Sequence, residues 1–226
     1  MKILLGILNS LCLVAVLLAG AITLPAFSSS DYQAEFAKYQ VGQRIQVSDA
    51  DLALVADRIV AYIKNDVDDL SIDVTVAGQR RDFFNDREKA HMADVKGLFQ
   101  LAVTVRNAAL LGFLATIVIL ILMRQSPWRV LARCYRVVVP VMLALSAGLA
   151  ALVATQFDTA FIQFHHLFFH NDLWQLNPAT DLLIDIMPIG FFMDMARSIA
   201  TIYVVGMAVV TAAAFLYCAY DKKRNV

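Results

Sequence analysis

Four apolar runs, at residues 3–24, 98–123, 137–154 and 199–220, constrain this chain more than any other feature. A helix that crosses a bilayer needs about 20 predominantly apolar residues, and each run is close to or above that length. The 226 residues are 60% hydrophobic and 17% charged, where soluble domains run at about 45–50% and about 25%. The formal net charge is zero, which removes the electrostatic footprint of a nucleic-acid binder. The predicted class is an all-α polytopic membrane protein: four transmembrane helices with a small α+β extracytoplasmic cap.

The predicted layout is a first span over 1–24, a cap over 25–97 ending in a helix continuous with the second span, and that span over 98–123. A basic turn over 124–136, a third span over 137–155, an outer histidine-rich aromatic loop over 156–196, a fourth span over 197–220 and a tail over 221–226 complete it. Ala19-Gly20-Ala21 resembles a signal cleavage site, but the apolar run is longer than the about 7–15 residues of a signal core, so a retained anchor is expected. Pro140 falls in the third span, where neighbouring helices can accommodate a kink. Cys12, Cys134 and Cys218 are an odd set in or beside apolar runs and read as free thiols, not a disulfide framework.

Charge asymmetry orients the spans. Arg124, Arg129, Arg133 and Arg136 occupy the turn between spans two and three without an acid, and Lys222, Lys223 and Arg224 follow span four. The loop between spans three and four carries Asp158, Asp172, Asp181, Asp185 and Asp194 with no basic residue before Arg197. The positive-inside rule then puts both termini in the cytoplasm and the cap and outer loop on the far side of the membrane.

Within the cap, Ser28 to Asp31 has helix-start chemistry. Ser48 or Asp49 can cap a helix over 51–64, whose Leu52, Val55, Ile59, Tyr62 and Ile63 recur at helical spacing. Ile72, Val74 and Val76 alternate with polar residues as a short strand, on which the helix face is expected to pack, and Ala77-Gly78 turns the chain. A further helix starts at Asn85 or Asp86, with Glu88 near the capping-box position, and runs on into span two.

Two stretches carry candidate chemistry. FFNDREKAHMADVKGLF, 83–99, holds His91 on a helix face with Asp94 and Arg87. FHHLFFHNDLW, 164–174, packs His165, His166 and His170 among Phe164, Phe168, Phe169 and Trp174. His166 and His170 are four apart and would share a helix face able to bind a metal with Asp172 or His91. No Glu lies between them, so the HExxH pattern is absent. His165 points elsewhere, toward Phe161, Phe168 or Phe169, where a neutral imidazole suits a general base. The aromatics alone are also what an interfacial anchoring belt looks like. Arg106, inside the start of span two, and Arg197 can snorkel to lipid phosphate, and Asp194 can pair with Arg197. The segment 181–186 reads as an interfacial helix turn with its acids facing water.

FNDREKAHMADVKGLF and FHHLFFHNDLWQLNPATDLLIDIMPIGFF together resemble the lipoprotein intramolecular transacylases, a family of bacterial integral membrane proteins, across the whole four-span layout. The resemblance implies an acyltransferase that moves the sn-2 acyl chain of a diacylglyceryl-cysteine lipoprotein to the cysteine α-amino group. It implies no cofactor and no metal, with membrane lipids and diacylated lipoproteins as partners. By motif, His91 and His165 are the implied catalytic pair, with Asp94, His166 and Asp172 supporting. Phe83, Phe84, Phe164, Phe168, Phe169, Trp174 and Arg106 are the expected substrate pocket. One position departs from the pattern: a Glu is expected after the proline of the second motif, where Pro188 is followed by Ile189, with Asp185 or Asp194 as possible substitutes. A metal-dependent hydrolase using His166, His170 and Asp172, and a non-catalytic lipid- or partner-binding protein, are the alternative readings of the residues.

Overall fold

The computed structural model describes residues 1–224; Asn225 and Val226, the end of the expected tail, lie outside the described residues. In chain order the elements are α1 (Lys2–Ala26), α2 (Ser29–Lys38), α3 (Val41–Ile45), α4 (Asp49–Lys64), β1 (Asp73–Val76) and β2 (Gln79–Asp82). Then come α5 (Asp86–Leu122), α6 (Pro127–Thr155), α7 (Phe157–Phe168), α8 (Leu182–Ile186) and α9 (Ile189–Arg224). Of these, α1, α5, α6 and α9 are long and apolar enough to cross a membrane. The chain divides into a membrane unit, 1–22 with 103–156 and 199–226, and a cap unit, 23–102 with 157–198.

In the membrane unit, polar side chains find partners inside the protein, as a hydrocarbon solvent demands. Asn9 is fully buried. Its Nδ2 donates to the Phe113 carbonyl at 2.9 Å and to Thr116 Oγ1 at 2.7 Å, and its Oδ1 accepts from the Tyr135 hydroxyl. Val14, Ala21, Val139, Tyr203 and Met207 form the apolar seam. A Cβ on Gly6 would lie 2.5 Å from Cys134 Sγ, so close approach of α1 to α6 requires the missing side chain. The three cysteines are free thiols.

The cap unit has its own core. Ser48 Oγ accepts the Asp51 N–H at 3.1 Å and starts α4, whose Leu52, Val55, Ile59 and Ile63 are buried. They pack with Tyr32 and Phe36 of α2 as well as with Val74 and Val76 of β1. The expected strand therefore supplies only part of the covering, and α2 the rest. β1 pairs antiparallel with β2, Asp73 opposite Asp82 and Val76 opposite Gln79. Ala77 and Gly78 both have positive φ, 50° and 80°, as a two-residue hairpin turn compatible with strand twist requires.

Two boundaries and one exposure differ from the sequence expectation. α6 begins at Pro127, so Arg129, Arg133 and Arg136 sit on its first turns instead of in a turn. Pro127 at N1 presets the helical φ, and Arg is a good helix former that needs no apolar surroundings. α9 likewise begins at Ile189, ahead of the apolar run. The segment 181–186 forms α8, but its acids do not all face water: Asp181 is 3% exposed, and Leu183 and Ile186 belong to the cap core.

Candidate active site

Every residue of the candidate site except Arg106 belongs to the cap unit. α5 starts with a reciprocal cap: Asn85 Oδ1 accepts the Glu88 N–H at 3.0 Å, and Glu88 Oε2 accepts the Asn85 N–H at 2.7 Å. This starts the helix roughly three turns before the apolar run at Leu98 and presents His91 inward, 7% exposed. α7 starts at Phe157, one residue after α6 ends, and carries Phe161, Phe164 and His165 at i, i+3 and i+4. His165 is 8% exposed.

The two rings meet. Their centroids are 6.2 Å apart with planes inclined by 31°. Phe169 stands edge-on to His91 at 5.4 Å and lies 5.5 Å from His165. His165 is held between Phe161 at 4.3 Å and Trp174 at 4.8 Å, with Phe164 edge-on at 5.7 Å.

Hydrogen bonding distinguishes the imidazoles. His165 Nδ1 lies 2.7 Å from the Phe161 carbonyl. A carbonyl only accepts, so Nδ1 carries the proton and Nε2 carries the lone pair. Among the described residues His91 Nδ1 is buried without a hydrogen-bond partner, a cost that native interiors rarely bear without a use. Burial pushes His91 down from 6.5 to about 4, the His165 ring adds to the effect, and Asp94 opposes it. Burial also lowers His165, against the Phe161 carbonyl bond, which favours its charged form. Both rings are therefore neutral near pH 7.

A ladder of polar contacts runs along the first turns of α5 to the segment after α7. Asn171 Nδ2 donates to Asp94 Oδ2 at 2.8 Å. The Arg87 guanidinium donates to the Asp172 carbonyl. Asn85 Nδ2 donates to Asp181 Oδ1 at 2.8 Å, and Glu88 Oε1 accepts the Leu183 N–H at 2.6 Å. Asp94 and Asp172 were expected to support the histidine pair, but Asp94 is engaged by Asn171, and Asp172 is exposed beside Arg87. Neither ring's Nδ1 is held by a carboxylate; the backbone carbonyl of Phe161 does that work for His165.

Other expected residues divide. Phe164, Phe169 and Trp174 cluster around His165, and Phe168 packs against Phe164 at 4.8 Å, tilted by 48°. Phe83 and Phe84 are instead interior, 0% and 2% exposed, packed on each other at 4.8 Å in the cap core. Arg106 belongs to the membrane unit. The shared helix face of His166 and His170 does not form. α7 ends at Phe168 and Asn171 starts a side-chain-closed turn by accepting the Leu173 N–H at 3.1 Å, which carries His170 off the helix. Among the described residues no three His, Cys, Asp or Glu side chains gather in a metal-binding arrangement. Ile189 is a half-exposed apolar residue at the start of α9. Asp194 is already committed: Lys38, Tyr39 at 2.6 Å and Arg197 at 2.8 Å donate to it, and the Lys38 and Tyr39 hydrogen bonds hold it down to about 2.

Glu88, Asn171 and Asp181 were not singled out as site residues from sequence. The capping role of Glu88 was legible from its spacing to Asn85. Its second partner, Leu183, is 95 positions away, and no local pattern signals such a contact.

Four helices long and apolar enough to cross a membrane define an integral membrane protein, whose cap unit holds two buried imidazoles enclosed by aromatic rings. The sequence model of the family described as lipoprotein intramolecular transacylase Lit matches residues 7–192, and the chain belongs to that family. A search of curated proteins found no match. Among solved structures, the membrane-integral lipoprotein intramolecular transacylase Lit from Bacillus cereus is similar, with a TM-score of 0.77 and 18% identity over 100% of this chain and 98% of that one. Two variants of the same Bacillus cereus protein, with one histidine replaced by arginine or by alanine, each match with a TM-score of 0.74 at 18% identity, over 95% and 96% of their chains. At that identity the likeness establishes the fold, and membership rests on the family match.

Proposed function

We propose that His91 and His165 carry the acyl transfer on a diacylglyceryl-cysteine lipoprotein, converting it to the lyso form. The observation that supports this reading is the ring pair itself: two buried, neutral imidazoles 6.2 Å apart, one with its tautomer fixed by a carbonyl. The α-amine attacks the sn-2 ester carbonyl. His165 Nε2 takes the amine proton as the C–N bond forms, and His91, kept neutral, donates its N–H to the carbonyl oxygen as that oxygen gains charge. His165 then returns the proton to the departing sn-2 oxygen, so that ester and amine become amide and alcohol. Amine and ester belong to one molecule, and holding both ends in register contributes on the order of 7–11 kcal/mol. Phe164, Phe168, Phe169 and Trp174 supply the apolar wall for the acyl chain.

Mass spectrometry of lipoprotein N-termini, from bacteria lacking such an activity with and without this protein expressed, tests the reading. The acyl group is expected to move from the glyceryl oxygen to the amine with total acyl count unchanged. Unaltered N-termini would defeat it.

The lowered imidazoles set the pH behaviour. Each must be neutral to act, and each is harder to protonate than a free imidazole at 6.5. The acid limb of kcat is thus expected below 6.5, with the neutral form persisting as pH falls and lost for His91 only near about 4. A kcat profile with its acid limb above 6.5 contradicts this assignment.

For topology, the Arg-rich start of α6 and the Lys222-Lys223-Arg224 end of α9 support cytoplasmic termini and a cap unit on the outer side of the cytoplasmic membrane. The segments 25–97 and 156–196 are then extracytoplasmic. A cysteine placed at exposed Leu54 is expected to react with impermeant maleimide on intact spheroplasts; protection until lysis reverses the orientation.

A further inference from the structure

The most unusual buried group outside the ring pair is Glu88. It is 1% exposed, yet a carboxylate is almost never fully buried unless it is paired. Its partners are not cations. Oε2 accepts the Asn85 N–H at 2.7 Å and Oε1 accepts the Leu183 N–H at 2.6 Å. One oxygen thus caps α5, and the other holds the start of α8, far along the chain. The neighbouring Asp181 is also buried, taking the Asn177 N–H at 2.7 Å, the Thr180 hydroxyl at 2.8 Å and Asn85 Nδ2 at 2.8 Å. Two carboxylates side by side in a core is an arrangement that apolar packing alone would not select, since each costs desolvation and they repel each other.

Geometry says what the arrangement does. Glu88 is three residues before His91, one turn back on the same helix, so fixing Glu88 fixes the rotation of the His91 turn. The segment that Glu88 fastens follows directly from the one bearing Phe169 and Trp174, which touch His91 and His165 respectively. The Glu88–Leu183 bond ends the ladder that Asp94–Asn171 begins, with His91 between them in sequence.

We propose that Glu88 is a positioning residue for His91: its carboxylate fastens the first turn of α5 to the start of α8, so that His91 keeps its place against Phe169 and His165. This rests on the reading of His91 as catalytic. A glutamine at 88 has the same shape but offers one acceptor oxygen and an NH2 group, so one of the two N–H groups loses its partner.

The test is Glu88→Gln in the full-length protein in detergent or vesicles, with a synthetic diacylglyceryl-cysteine lipopeptide as substrate. Expected is a fall in kcat of about 10²-fold, the scale of a small misplacement of a reacting group, with KM within about twofold because the substrate's apolar wall is untouched. Diethyl pyrocarbonate labelling resolved by mass spectrometry is expected to rise several-fold at His91 and stay level at exposed His166 and His170. A parallel rise at all histidines in a variant that still folds would make Glu88 merely structural and overturn the inference. Where Glu88→Gln does not fold, Asn85→Ala leaves the carboxylate in place, removes its reciprocal cap, and is expected to move the same two readouts less far. Wild-type kcat and unchanged His91 labelling in the folded variant, beside an inactive His91→Ala, overturn this inference alone. A fully active His91→Ala overturns the catalytic reading beneath it.

Discussion

His91→Ala and His165→Ala are each expected to abolish conversion of diacylated lipoprotein to the lyso form while leaving the protein present at normal level. Loss of a general acid or base costs typically about 10²–10⁴-fold, and two rings serving one centre are not additive, so the double variant should fall little further than either single one. The rings are placed by different means. His165 depends on the Phe161 carbonyl, a backbone group that no neighbouring substitution removes. His91 depends on the rotation of its helix turn and on Phe169. His166→Ala and His170→Ala serve as controls, since both side chains are exposed and neither ring meets His91. Quantitative N-terminal mass spectrometry reads all of them, and full activity in either His91→Ala or His165→Ala would sink the assignment.

The largest stability effect is expected at Phe83. It is fully buried, edge-on to Phe84 and inside the cap core, so Phe83→Ala removes a large ring that the surroundings cannot replace. The expected cost is about 3–5 kcal/mol, seen as a lowered melting temperature by the fluorescence of Trp174 in a Trp128→Phe background. Phe164→Ala provides the contrast. Phe164 is 43% exposed, so its loss should cost no more than about 1 kcal/mol of stability, while raising KM if the ring lines the acyl chain's path. The pair separates core from pocket, two roles that look alike in sequence because both are aromatic residues flanking a histidine motif. An unchanged melting point in Phe83→Ala would return Phe83 to the pocket.

That separation illustrates where the sequence was legible. Spanning helices announce themselves because hydrocarbon demands about 20 apolar residues in succession, and all four were found that way. α4 was legible for the same kind of reason: its apolar residues recur at helical spacing and Ser48 caps it. β2 was not, because Gln79-Arg80-Arg81-Asp82 has no apolar alternation and is held by backbone bonding to β1. The start of α6 was missed because polar residues continue a helix as readily as apolar ones once backbone bonding is under way, and that of α9 because Asp194 and Arg197 interrupt its apolar sequence.

The site divides along the same line. The sequence by itself determined the membrane class and the family, since these reside in apolar length and in contiguous motifs, and it singled out His91 and His165 as candidates. Only the tertiary structure decided which rings meet, that His165 is held by a backbone carbonyl, that His170 leaves the helix, that Phe83 and Phe84 are interior, and that Asp94 is engaged elsewhere. It also decided that Glu88 is shared between two distant segments. The physical reason is range: helix periodicity and capping act within a few residues, whereas burial, ring contacts and the second partner of a carboxylate depend on residues some 75 to 95 positions apart, brought together only when the cap core packs.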